Sequence, residues 1–182
     1  MNNSSISSAS EYRPKVFSDM IGQDAIVKTL SNAIKNDNIP QALLFCGPRG
    51  VGKTSCARIL AKTINDLKEN FEYNIFELDA ASNNSVEDIR SITDQIRIPP
   101  QIGKYKVYII DEVHMLSNAA FNAFLKSLEE PPKHVVFILA TTEKNKIIPT
   151  ILSRCQIYDF KKVDIESITK LLSNICKDKK IK

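Results

Sequence analysis

A chain of 182 residues with 43% hydrophobic and 25% charged side chains suits one α/β domain plus the start of another, and can bury a sizeable core. The formal charge of +4 permits a nucleic-acid partner without requiring one. No apolar run reaches the length of a membrane span, and the opening MNNSSISSAS has neither the basic start nor the apolar stretch of a secretory signal. Residues 1–10 therefore read as a disordered tail, and the protein as cytoplasmic with no membrane partner. Cys46, Cys56, Cys155 and Cys176 form no CxxC pair, so reduced thiols in or near the core are expected rather than paired metal ligands.

In chain order, EYRPKVFSDMIGQ (11–23) is punctuated by proline and glycine and leads into a helix at DAIVKTLSNAIKN. Asp24 is the expected N-cap, and Ile26, Leu30, Ala33 and Ile34 fall near one face. QALLFCG (41–47) is a short apolar run, the pattern of a buried strand, followed by a glycine loop and the helix KTSCARILAKTIN. NIFELDA (74–80) and KVYIIDE (106–112) are strands that end in acids, and the helix SVEDIRSITDQI lies between them until Pro99-Pro100 stops it. IRIPPQIG (96–103) reads as a loop packed on the core in preference to an exposed docking tip. SNAAFNAFLKSLEE (117–130) spaces Phe121, Phe124, Leu125 and Leu128 as an amphipathic helix that ends at Pro131-Pro132. HVVFILATT (134–142) and CQIYDF (155–160) are the fourth and fifth strands, and DIESITKLLSNICK (164–177) opens another helix. The alternation predicts an α/β, three-layer fold on a mostly parallel sheet.

The loop GPRGVGKT (47–54) matches G-x-x-x-x-G-K-[ST] at every fixed position, with a strand before it and a helix after it. Such a loop, here Gly47, Pro48, Arg49, Gly50, Val51, Gly52 and on to Ser55, turns its successive backbone N–H groups toward phosphate oxygens. Lys53 would reach the β- and γ-phosphates and Thr54 would give its hydroxyl to Mg²⁺. Asp111, at the end of KVYIIDE, would hold the same Mg²⁺, and Glu112 is placed to act as general base on an attacking water. Thr141-Thr142 closes the fourth strand. A hydroxyl there is placed to hold that water, and β-propensity explains a strand-end threonine equally well. His114 and His134 have no nucleophile to serve and are expected in packing or surface roles.

Together YRPKVFSDMIGQ, GPRGVGKTSCARILAK, ELDAASNNSVEDIR, KVYIIDEVHMLSNAAFNAFLKSLEEPP and ILATTEKNKIIPTILSRC resemble the ATPase module of the bacterial DNA polymerase III γ/τ subunit family, clamp loaders of the AAA+ class. The resemblance covers residues 11–182, and the DEVHML, LEEPP and SRC signatures are more specific than the phosphate loop. It implies a P-loop fold on a five-stranded parallel sheet, with an AAA+ nucleotide-binding domain over 11–161 and the beginning of a helical lid over 162–182. It also implies ATP hydrolysis with Mg²⁺ within the polymerase III holoenzyme, other subunits in a pentameric arc, a sliding clamp, and primed DNA held through its backbone. Tyr12, Arg13, Pro14, Met20 and Ile21 would line the adenine pocket, Thr142 would be sensor 1, and Arg154 would be an arginine finger acting on a neighbour's γ-phosphate.

Two departures stand out. The segment TINDLKENFEYN is too short for the zinc module that many members insert there, so no zinc is expected. Asn83, Asn84 and Ser85 replace the basic residues that members turn toward DNA, leaving Arg90 as the candidate phosphate contact. The lid and collar of the family are incomplete, so the chain reads as a piece of a longer subunit. A non-hydrolysing scaffold subunit of the same complex and a branch-migration helicase are the alternatives. The intact phosphate loop speaks against the first, and LEEPP and SRC against the second.

Overall fold

Every residue of ALLFC is buried, which a strand achieves only when both faces of its sheet are covered. In the computed structural model, which describes residues 11–66 and 73–179, these residues form β1 (Ala42–Cys46), an interior strand of a five-stranded sheet. The others are β2 (Ile75–Asp79), β3 (Lys106–Asp111), β4 (Val135–Thr141) and β5 (Gln156–Asp159). All pair in parallel, in the order β2-β3-β4-β1-β5. β4 is buried along its whole length, whereas the edge strands β2 and β5 are only partly covered. The expected tail at 1–10, and residues 67–72 of the connection on which the zinc expectation rests, lie outside the described residues.

Side chains alternate across a strand, so each half of β1 feeds a different layer. Leu43 and Phe45, with Ile109 and Ile138, pack against α1 (Asp24–Lys35) and α2 (Lys53–Asn65) through Leu30, Cys56, Ala57 and Leu60. Leu44, with Ile110, Phe137 and Leu139, packs against α3 (Val86–Ile96) and α4 (Asn118–Glu129) through Ile89, Phe121, Phe124 and Leu128. The short α5 (Pro149–Leu152) adds Ile151 to that layer. Burying each such side chain is worth about 1.5–3 kcal/mol, which makes β1 a rigid base for the loop that follows it.

Helix starts follow side-chain caps. Ser85 accepts from the Asp88 N–H at 3.2 Å while the Asp88 carboxylate accepts from the Ser85 N–H at 3.1 Å. Ser117 accepts from the Ala120 N–H at 3.2 Å, and Asp164 caps α6 (Ile165–Asp178) through the Ser167 N–H at 2.8 Å. The expectation that Asp24 caps α1 is corrected: Asp24 is the first helical residue and Gln23 stands at the cap, its amide bonded elsewhere.

Two other expectations need correction. In the loop 96–103 Ile96 is buried, but Ile98 is 60% and Ile102 40% exposed. Polar bonds hold that loop instead: Asn74 Nδ2 donates to the Ile102 carbonyl at 2.5 Å, and Asn65 Oδ1 accepts from the Lys104 and Tyr105 N–H groups at 3.0 and 2.7 Å. Among the free cysteines, Cys46 and Cys56 are buried and Cys155 half-buried, but Cys176 is exposed on α6, a helix with no buried residue. Ile165, Ile168, Leu171 and Leu172 of α6 all face outward. No helix among the described residues is long and apolar enough to cross a membrane.

Parallel pairing puts every strand's carboxyl end on one edge. Cys46 lies level with Thr141 and with Asp159, and Asp79 lies level with Asp111. Open α/β sheets present their ligand crevice at that edge.

Candidate nucleotide site

β1 hands over at Gly47, where φ is 149° and a Cβ would lie 2.6 Å from the Phe160 carbonyl oxygen, so only glycine lets the chain turn there. The loop then passes Pro48, Arg49 and Gly50, all exposed, and returns through buried Val51 to Gly52 at the head of α2. Lys53 opens the helix. Its Nζ donates to the Gly47 and Pro48 carbonyls at 2.8 Å each, so the ammonium lies inside the curve of the loop. Burial pulls the Lys53 pKa down, while Glu112 and Asp111 oppose that shift and favour the cation. The N–H groups of the first turn, Thr54 and Ser55 among them, have no helical acceptor and carry the positive end of the helix dipole.

Thr54 Oγ1 donates to Asp111 Oδ2 at 2.6 Å, joining the loop helix to the end of β3. A hydroxyl and a carboxylate in contact are a hard-oxygen pair of the kind that suits Mg²⁺. Glu112 follows in a left-handed conformation, φ 47° and ψ 44°, which a glutamate adopts at a cost of roughly 1–2 kcal/mol. That turn sends its side chain to the end of β4. Glu112 Oε2 accepts from Thr142 Oγ1 at 3.0 Å and from the Thr142 N–H at 3.3 Å. Lys53, Thr54, Asp111, Glu112 and Thr142 are thus brought together along one edge.

The segment before α1 contributes Met20, buried, with its methyl 2.9 Å from where a Cβ on Gly52 would stand. Ile21 is half-buried beside it. Tyr12 lies at the far end of α6, where Lys179 Nζ is 5.5 Å from its ring and bonds Glu11 at 2.5 Å. Arg13 is exposed and Pro14 half-buried. The segment therefore bridges the phosphate loop and α6, with Met20 and Tyr12 at its two ends.

Sequence reasoning missed two residues here. Gln23 Nε2 donates to the Lys161 carbonyl at 2.7 Å and reaches the Val51 carbonyl at 3.5 Å, and its Oε1 accepts from the Lys161 N–H at 3.2 Å. It ties the loop to the chain leaving β5. His114, expected in a packing or surface role, has a side chain only 6% exposed, with Nδ1 3.3 Å from Glu112 Oε2 and 3.0 Å from Thr141 Oγ1. His134 does meet the packing expectation: its Nε2 lies 2.9 Å from the Ile96 carbonyl.

Arg154 is not brought to this edge. Arg154 precedes β5, and Gln156 is level with Leu43 near the start of β1. Four residues of strand, or about 13 Å, separate that level from Gly47, and Arg154 lies in the turn before β5, farther than an arginine side chain spans. Arg154 Nη2 donates to Glu129 Oε1 at 2.8 Å and Nη1 to the Thr150 carbonyl at 2.7 Å. It borders an open cleft of about 490 Å³ lined also by Gln41, Leu128, Pro131 and Cys155. Arg90 is exposed on α3, and Asn83 and Ser85 serve the turn before it: Asn83 bonds the Asp79 carbonyl and Ser85 caps the helix.

Residues 22–75 and 68–164 match the model of a protein family described as DNA polymerase III, delta subunit. The chain belongs to this DNA polymerase III family. It is 48% identical over 181 residues to DNA polymerase III subunit tau of Bacillus subtilis, covering 90% of this chain and 32% of that one. It is 43% identical over 190 residues to DNA polymerase III subunit tau of Escherichia coli, covering 95% and 30%. The chain spans about a third of the length of these curated relatives. The γ/τ resemblance of the sequence motifs is thus matched over nearly the whole chain. Among solved structures, the RuvB Holliday junction branch migration motor of Thermotoga maritima superposes with a TM-score of 0.72 at 21% identity, over 91% of this chain and 54% of that one. That likeness is one of fold: the two share a three-layer α/β architecture built on a parallel sheet.

Proposed function

We propose that the chain is the nucleotide-binding module of a clamp-loader subunit of a replicative DNA polymerase, acting in the cytoplasm. Residues 11–161 form its ATPase domain and 162–182 begin its helical lid. The observation that carries this reading is the 2.6 Å bond between Thr54 and Asp111, with Glu112 next in the chain. It supports a phosphate loop, a metal-binding pair and a base that act together, and the family relationship supports the replication setting. The hydroxyl–carboxylate pair fits Mg²⁺, and that ion would neutralise charge on the β- and γ-phosphate oxygens.

The chain's own groups do the rest. Loop N–H groups of Gly50 to Ser55 and the Lys53 ammonium bind the phosphates, Lys53 exchanging two carbonyl partners for phosphate oxygens. Met20 and Ile21, with Tyr12, Arg13 and Pro14, enclose the base side of ATP. Thr142 orients a water, and Glu112 accepts its proton as it attacks. Arg154 serves the site of a neighbouring subunit in the assembled arc, because its own loop is out of reach. The partners are the other clamp-loader subunits, a ring-shaped sliding clamp, and primed DNA held through its backbone with Arg90 as one phosphate contact.

The test is the ATPase rate of the full-length subunit in its reconstituted complex, with and without primed DNA and sliding clamp. Stimulation by both together is expected. ATP binding without any turnover would assign the chain a scaffold role instead.

A further inference from the structure

Among the side chains around the candidate base, the imidazole of His114 has the most partners. Its Nδ1 faces Glu112 Oε2 at 3.3 Å and Thr141 Oγ1 at 3.0 Å, and its Nε2 faces Glu143 Oε1 at 3.3 Å. The ring is itself held in place. Thr141 Oγ1 accepts from the Glu143 N–H at 3.0 Å, so the hydroxyl beside Nδ1 has a fixed position. Glu143 is in turn paired with Lys146 at 2.9 Å. The ring therefore stands between the turn after β3 and the loop after β4, touching a fixed group on each side.

The effect falls on one oxygen of Glu112. Oε2 has Thr142 Oγ1, the Thr142 N–H and His114 Nδ1 within 3.3 Å, while Oε1 makes no hydrogen bond among the described residues. A glutamate has three rotatable bonds, and a general base is effective only while the accepting oxygen is aimed at the water. We propose that His114 is a positioning residue that anchors Glu112 through Oε2 and so keeps Oε1 directed at the water to be deprotonated. Thr142 alone restrains the carboxylate from one element, and the imidazole supplies the second restraint, from the turn that follows Glu112. This rests on the reading of Glu112 as the general base.

The test compares His114→Ala and His114→Asn in the full-length subunit within its reconstituted complex, where asparagine keeps a polar group near the Nδ1 position. Affinity is read by titration with a fluorescent ATP analogue, and turnover by phosphate release. His114→Ala should lower kcat by about 10–100-fold with nucleotide affinity nearly unchanged, the size expected when a reacting group is misplaced by about 1 Å. His114→Asn should recover part of that loss. In a Glu112→Gln background His114→Ala should cost nothing further, since both changes remove the same oriented base. Unchanged kcat in His114→Ala, parallel loss of affinity and kcat, or full additivity with Glu112→Gln would each overturn the inference. Absence of turnover in the unaltered complex, or full turnover in Glu112→Gln, would sink the hydrolytic reading and the inference with it. Normal dependence on Glu112 with indifference to His114 would sink the inference alone.

Discussion

Lys53 is buried, 6% exposed, and its ammonium is bonded to two carbonyls of its own loop. Burial lowers its pKa, and the two acids beside it oppose that shift. Lys53→Ala removes the one buried cation of the loop and should weaken ATP binding roughly 10- to 100-fold, the worth of one charge-assisted hydrogen bond of about 1.5–3 kcal/mol. A calorimetric titration with wild-type affinity would refute the assignment. Glu112 differs in kind, since it is bound by donors from β4 and lies in a strained turn. Glu112→Gln keeps the shape and most contacts, so ATP affinity should persist while turnover falls by about 10²–10⁴. Equal loss of both would make Glu112 a structural residue. The left-handed φ of Glu112 was not legible in KVYIIDE, because an acid at a strand end looks the same whichever way its backbone turns.

At the scale of elements, Gln23 does what neither α1 nor β5 does alone. It stands at the head of α1, yet its amide is spent on Lys161, 138 residues away in sequence. Phosphate loop, first helix and the strand leading to α6 are thereby fastened at one buried point. Gln23→Ala should leave two backbone groups of Lys161 short of a partner and lower unfolding stability by about 1–3 kcal/mol. Urea denaturation of the full-length protein checks this, and a loss within error would show that water replaces the amide. The helices and strands themselves were readable, since the continuous apolar runs ALLFC and VVFILAT and the i, i+3, i+4 spacing in α4 survive without tertiary help. Even α2 begins at Lys53 and ends at Asn65 as its sequence suggests. Gln23 and His114 were not readable, because their roles consist of contacts between distant segments. The loop 96–103 misled for the opposite reason: its isoleucines suggest burial, while Asn65 and Asn74 hold its backbone and leave Ile98 and Ile102 outside.

At the scale of the whole molecule, the phosphate loop and Arg154 leave opposite edges of the same sheet. The SRC motif was recognisable in the sequence, but its distance from the chain's own loop and its pairing with Glu129 were not. Arg154→Ala in the assembled complex should spare ATP affinity at its own loop and cut clamp-stimulated hydrolysis steeply, by about 10³–10⁵ if it behaves as other arginine fingers do. Mixing subunits locates the effect: a Lys53→Ala chain with Arg154 intact should sustain turnover at the loaded site it faces, and a dead mixture would remove the finger assignment. The two opposed edges also bear on symmetry. In the arc proposed above, where each Arg154 serves one neighbour's loop, the contacts between subunits are heterologous, head to tail. In a row that does not close, one terminal loop has no arginine and one terminal arginine has no loop, leaving one fewer composite site than subunits. A subunit that cannot hydrolyse ATP therefore costs such a row no site when it occupies the end whose loop is already unserved.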